Sequence, residues 1–150
     1  MEIELKEQKA QPILSIRTRT TLADLPNIIG DNYHKIAGYL EELGEQLVDV
    51  PFTAYYNLDM QDMDVEMGFP VAKPLPGKGD IKASEIAQGK VASYMYKGIY
   101  SEMEPVYNEI FKWIAEKGYQ PKGVYYEYYY NAPDEVPESE LLTRIVIPLE

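Results

Sequence analysis

The chain has 150 residues, 45% of them hydrophobic, which is enough for one domain with a real core and too ordered a composition for a disordered chain. Its 25 acidic and 14 basic residues give a formal charge of −11, which disfavours nucleic-acid binding, because neutralising phosphates takes clustered lysine and arginine. With no cysteine there is no disulfide framework, thiolate zinc site or cysteine nucleophile.

The opening MEIELKEQKAQ alternates charge with apolar residues and does not read as a signal peptide, and no apolar run reaches the roughly 20 residues that span a bilayer. The expectation is a cytoplasmic protein with no membrane partner. A strand is predicted over 12–19. A helix follows, in which Leu25, Ile29, Tyr33, Ile36, Leu40, Leu43 and Leu47 recur at helical spacing. Asp24 or Thr21 is placed to cap it and Pro26 falls in its first turn, while Gly30 and Gly38 predict some irregularity. His34, the sole histidine, neighbours the apolar stripe, so an exposed helical position is expected.

Strands are then predicted over 52–58, 65–71, 81–86 and 91–97. Between the first two lies DMQDMD (59–64), whose Asp59, Asp62 and Asp64 lack the glycine and distal glutamate of a calcium loop and read as turn residues. No other set of ligands suggests a metal, and no cofactor motif appears. Ser101-Glu-Met-Glu104 has the form of a capping box, opening a second helix with a stripe of Met103, Tyr107, Ile110, Phe111 and Ile114 that Gly118 ends. Strands over 124–130 and 141–149 close the chain, joined by NAPDEVPESE (131–140).

The element order repeats. Ile13–Ile16, the first helix, PFTAYYNL (51–58) and DVEMGFPV (64–71) line up with Val91–Tyr94, the second helix, GVYYEYYY (123–130) and LLTRIVIP (141–148). The expected fold is α+β: duplicated β-α-β-β units forming one antiparallel sheet with two helices on one face and a ligand groove at their junction. Repeat 1 spans about 11–72, a linker strand about 73–89 and repeat 2 about 90–150.

Tyrosine is the odd count, 14 against three phenylalanines and one tryptophan, and it suits a wet, aromatic-lined binding surface. Five of the tyrosines fall in GVYYEYYYN (123–131), around a single glutamate. On a strand Tyr125, Glu127 and Tyr129 share one face and Val124, Tyr126, Tyr128 and Tyr130 the other. Periodicity alone would bury the Val124 face and leave Glu127 in water. Glu66 in the first repeat reads as either a second acidic site residue or a surface strand glutamate.

KGIYSEMEPVYNEIFKWIAEKGY (97–119) resembles the G-x-Y, helix, W-x-x-x-x-G segment of GyrI-like small-molecule-binding domains, which also form effector-binding halves of multidrug-responsive regulators. GVYYEYYYNAPDE (123–135) resembles that family's strand with an acidic pocket residue and following Asn-x-Pro turn, LLTRIVIPLE (141–150) its closing strand, and DVEMGFPV (64–71) the counterpart of that strand in the first half. The resemblance implies a pocket between the helices lined by aromatics, with Glu127 as its buried glutamate and a lipophilic aromatic cation as the partner. Glu127, Tyr33, Tyr55, Trp113, Tyr125 and Tyr129 are the candidate ligand-binding residues; Trp113 and Tyr33 read equally well as packing. Some standalone relatives hydrolyse cyclopropane rings of DNA-alkylating natural products. In that alternative Glu127 would be acid or base and Tyr55, aligned with it by the repeat, would polarise a carbonyl, with Tyr56 as the fallback. A third reading is a protein-interaction module acting on a topoisomerase through the acidic loop at Asp134, Glu135 and Glu138. Oligomeric state is not legible.

Overall fold

The computed structural model describes residues 2–57, 59–132 and 134–150. Leu58, the end of the strand expected over 52–58, and Pro133 of the Asn-x-Pro turn lie outside the described residues. In chain order the elements are β1 (Glu4–Gln8), β2 (Gln11–Thr20), α1 (Leu25–Glu42), β3 (Phe52–Tyr55), β4 (Met63–Pro70), β5 (Lys82–Ile86), β6 (Gly89–Lys97), α2 (Met103–Glu116), β7 (Tyr125–Tyr129) and β8 (Leu142–Pro148). This is an α+β fold of antiparallel strands and two helices.

The chain divides into two compact units. Residues Lys9–Gln88 form one, with strands in the order β5-β2-β4-β3 and helix α1. Gly89–Glu150 and the segment ending at Gln8 form the other, with strands in the order β1-β6-β8-β7 and helix α2. The segment expected as a linker strand is thus the edge of the first sheet, where Gln11–Ser15 of β2 pairs with Lys82–Ile86. The charged N-terminal segment, not expected as a strand, pairs Glu4–Gln8 with Gly89–Ser93 at the edge of the second sheet. Each unit therefore takes its edge strand from the segment that precedes the other repeat.

Within each unit the helix covers one face of its sheet. Ile36, Tyr39 and Leu40 of α1 pack on Leu14, Ile16 and Phe69, while Leu25 packs on Met63, Val65 and Met67. Met103, Ile110 and Ile114 of α2 pack on Ala92, Tyr96, Ile145 and Ile147. The opposite faces are buried as well: Ile13, Phe52 and Ala54 in the first sheet, and Val91, Tyr126 and Val146 in the second.

Both helices end the same way. Gly44 takes φ +71° and Gly118 φ +81°, the left-handed conformation that glycine adopts without a Cβ clash. Glu45 N–H then reaches back to Leu40 O and Tyr119 N–H to Ile114 O, both at 3.0 Å, satisfying carbonyls that the helix end would orphan. This stop leaves Leu47, which the spacing placed on the α1 stripe, 52% exposed beyond the helix. Two further expectations fail. Gly30 and Gly38 do not interrupt α1, and the capping box at Ser101 does not form. Tyr100–Glu102 is instead a 3-10 turn leading into α2, whose N-cap Glu102 makes no side-chain capping bond.

The ladders fix how the repeats superpose. Ser15 pairs with Gly68, which pairs with Phe52; Ser93 pairs with Val146, which pairs with Tyr126. Matching the two serines makes Phe52 equivalent to Tyr126, Thr53 to Glu127 and Tyr55 to Tyr129. The sequence alignment that set Tyr55 against Glu127 is therefore two residues out of register.

Candidate functional site

Glu127 sits mid-strand in β7, opposite Ile145, and so faces α2 rather than water. The rings beside it explain why alternation misled: tyrosine stands on both faces of this strand, and both are covered. Tyr107 of α2 donates its hydroxyl to one Glu127 carboxylate oxygen at 2.5 Å, and Tyr129 donates to the other at 2.8 Å. Bonds from neutral hydroxyls to an ionised carboxylate are short and about twice as strong as neutral pairs.

Around this half-buried carboxylate the rings interlock. Tyr125 meets Phe111 edge-on at 5.4 Å and 71°, and Tyr107 lies 6.4 Å from Tyr125 and 6.0 Å from Phe111. On the other side Tyr100, in the 3-10 turn, stands edge-on to Tyr129 at 5.9 Å. Burial, and then the nearby charge of Glu127, push the Tyr100 hydroxyl above the usual tyrosine range. The turn that presents Tyr100 depends on Gly98. Its φ is +146°, and a Cβ there would lie 2.8 Å from the Tyr96 hydroxyl, which donates to Ile99 O at 2.7 Å.

Of the six residues singled out from sequence, Glu127, Tyr125 and Tyr129 come together here. Trp113 belongs to the same unit but packs into the apolar layer under α2, with the Lys117 ammonium 5.7 Å over its ring. Tyr33 and Tyr55 belong to the other unit. There Tyr33 hydrogen-bonds the Thr53 hydroxyl at 2.9 Å and tilts against Phe69 at 5.5 Å, while Tyr55 joins the cluster of Leu25, Met63, Val65 and Met67. Tyr33 and Thr53 are the repeat equivalents of Tyr107 and Glu127. The same helix-to-strand contact thus exists in both units, neutral in one and acidic in the other.

Sequence reasoning missed Tyr100, Tyr107 and Phe111 as site residues. Tyr107 and Phe111 stood in the helical stripe and were absorbed into the core; their i, i+4 spacing after Met103 was the available signal. Tyr100 is the tyrosine of the G-x-Y motif.

Glu66, the second acidic candidate, is buried at 8% exposure rather than a surface strand glutamate. It lies on the face of β4 away from α1 and accepts hydroxyls from Ser15 at 2.5 Å and Tyr56 at 2.6 Å. Asp64 forms a two-bond pair with Arg17 at 3.0 and 2.8 Å, and Asp62 bonds Arg19 at 3.0 Å. The Arg17 guanidinium also stacks 3.8 Å over the Tyr56 ring. His34 is exposed on α1.

The sequence matches the family model of the GyrI-like small molecule binding domain over residues 1–150. The chain belongs to the GyrI-like family. Solved structures agree at the level of fold. EcmrR in its DNA complex matches this GyrI-like chain with a TM-score of 0.86 at 22% identity, covering 99% of this chain and 57% of EcmrR. The EcmrR C-terminal domain alone gives 0.82 at 20%, covering 99% and 97%. A hydrolase from Listeria innocua gives 0.72 at 11%, covering 99% and 92%. SAV2435 bound to tetraphenylphosphonium gives 0.69 at 12%, covering 100% and 94%. This chain thus spans a little over half of the full EcmrR chain. No functionally curated protein matches it. Among the described residues no helix is long and apolar enough to cross a membrane.

Proposed function

We propose that this GyrI-like domain binds lipophilic aromatic cations, with Glu127 supplying the charge and the rings of Tyr100, Tyr107, Phe111, Tyr125 and Tyr129 the surface. The observation that carries the reading is a carboxylate set among aromatic edges and faces, held by Tyr107 and Tyr129. A half-buried carboxylate is costly in an apolar setting, and a ligand cation offsets that cost while each ring adds about 0.5–2 kcal/mol of cation–π attraction. Selection by charge and aromatic surface tolerates many ligand shapes. That SAV2435 was solved with tetraphenylphosphonium supports the ligand class without assigning it to this chain.

The test is a titration of tetraphenylphosphonium against neutral triphenylphosphine oxide, read by fluorescence of the single tryptophan and by calorimetry, on wild type and Glu127→Gln. The expected result is a preference for the cation that the substitution removes while the far-ultraviolet circular dichroism stays unchanged. Equal affinity for both compounds, or a preference that survives the substitution, overturns the reading.

The same residues support a second reading as a hydrolase of strained electrophiles. A carboxylate can take a proton from an attacking water, and a tyrosine hydroxyl can polarise a substrate carbonyl. Within this unit the hydroxyls of Tyr107 and Tyr129 donate to Glu127 and are candidates for that polarising role beside Tyr55. Turnover separates the two functions: an enzyme at limiting concentration converts excess cyclopropane-bearing substrate to ring-opened product, whereas a binder protects one equivalent.

A further inference from the structure

Thr143 is fully buried, and its hydroxyl has no hydrogen-bond partner among the described residues. A buried hydroxyl left this way costs about 1–3 kcal/mol, so a fold under no other demand would replace it with an isosteric apolar group. The duplication supplies that replacement. In the β4 ladder the residue opposite Tyr55 is Val65, and in the β8 ladder the residue opposite Tyr129 is Thr143. Val65 and Thr143 are repeat equivalents, both fully buried, and valine fills this place in one unit without an orphan group. The fold therefore does not need the hydroxyl.

Its location does connect it to the site. Thr143 lies on the α2 face of β8, directly across from Tyr129 on one side and Tyr96 on the other. Glu127 faces Ile145, two residues along β8 on the same face, so Glu127 and Thr143 are diagonal neighbours with Cβ atoms on the order of 7 Å apart. At two equivalent positions on this face, then, the second repeat is more polar than the first: Glu127 for Thr53 and Thr143 for Val65.

We propose that Thr143 is a specificity residue of the Glu127 site, accepting a hydrogen bond from a cation that carries an N–H, so that protonated aromatic amines are favoured over quaternary cations of the same shape. The inference rests on the cation-binding reading above and adds to it. A quaternary centre offers Glu127 its charge but has no proton for Thr143. A protonated amine offers both, and its N–H supplies the hydroxyl oxygen with the partner it lacks. Entry requires the half-buried Tyr129 ring to shift, a side-chain rearrangement of a kind common at binding surfaces.

The probes are protonated (1-naphthylmethyl)dimethylamine and its trimethylammonium analogue, titrated at pH 7 on wild type, Thr143→Val, Thr143→Ser and Glu127→Gln, with melting temperatures for all four. Wild type is expected to favour the protonated amine by about two- to ten-fold, the worth of one hydrogen bond. Thr143→Val should abolish that preference, leave the quaternary affinity unchanged and melt no lower than wild type. Thr143→Ser should retain the preference. Two outcomes overturn the proposal alone: both cations bind through Glu127 with equal affinity in wild type, or the preference persists in Thr143→Val. If neither probe binds, or Glu127→Gln binds both as wild type does, the cation site itself fails and this proposal falls with it.

Discussion

Tyr33 and Tyr107 occupy equivalent helix positions and hydrogen-bond equivalent strand positions, Tyr33 sharing a bond with a threonine hydroxyl at 2.9 Å and Tyr107 donating to a carboxylate at 2.5 Å. Replacing each by phenylalanine removes one oxygen and leaves a ring of the same shape. Tyr33→Phe breaks a neutral bond, worth about 1 kcal/mol, while Tyr107→Phe breaks a charge-assisted one, worth about 1.5–3 kcal/mol. For a chain of this length 1 kcal/mol moves the melting temperature by about 2–4 °C, so the expected losses are about 2–4 °C and about 3–12 °C. Urea titrations at pH 7 followed by circular dichroism give the free energies directly. Repeated in acid, where the carboxyl is protonated, the difference should shrink because the charge assistance is gone. If Tyr107→Phe costs no more than Tyr33→Phe at pH 7, Glu127 is not the charged acceptor described here, and the cation site loses its basis.

Two further outcomes follow from local geometry. Gly98→Ala places a methyl against the Tyr96 hydroxyl at a φ of +146°, so it should cost about 1–3 kcal/mol and, by displacing the turn that carries Tyr100, weaken cation binding; urea denaturation beside a binding titration checks both. The Asp64 carboxyl is held below its ordinary value, first by its hydrogen bonds from Arg17. A depressed folded pKa stabilises the native state above the unfolded value of about 3.9, and the contribution is lost as pH falls through the lower folded value. The Arg17 side chain is about half exposed, which screens the pair, so Arg17→Met should flatten the acid limb of the stability profile by no more than about 1 kcal/mol. A steeper acid limb in that variant would refute the assignment.

How far the sequence could be read depended on whether a local pattern faced one environment or two. The helices were legible because α1 and α2 each bury one stripe, and Gly118 marked the end of α2; the equivalent stop at Gly44 went unread, which is why Leu47 was counted in the α1 stripe. The duplication was legible as an order of elements but not as a register, since its strands share almost no identity and only the ladders align them. β1 escaped notice because an edge strand with exposed Glu4 and Lys6 carries the charges that keep such edges from pairing with other chains. The orientation of Glu127 was illegible for a different reason. Alternation reports which face is wet, and in β7 neither is: Tyr126 and Tyr128 are buried on one side, and Tyr125 packs against α2 on the other. The surface option for Glu66 fails on the same logic, because β4 is buried on both faces over most of its length.

The duplicated chain also carries its own control for separating fold from function. Positions where the repeats agree are those the architecture demands: Ile36 with Ile110, Leu40 with Ile114, Gly44 with Gly118, Ser15 with Ser93. Positions where one repeat is ordinary and the other costly or bulky cannot be explained by architecture, because the ordinary residue folds there already. Three such pairs lie on the helix-facing side of their own units, Thr53 with Glu127, Val65 with Thr143, and Ala37 with Phe111, and the costly or bulky member of each belongs to the unit that holds Glu127. A charged group, an orphan hydroxyl and an added ring on a scaffold that folds without them point to a ligand as their common cause. On the cation-binding proposal, the unit of Gly89–Glu150 is the one that would read the ligand's charge and protons. The unit of Lys9–Gln88 keeps the neutral version of the same contact.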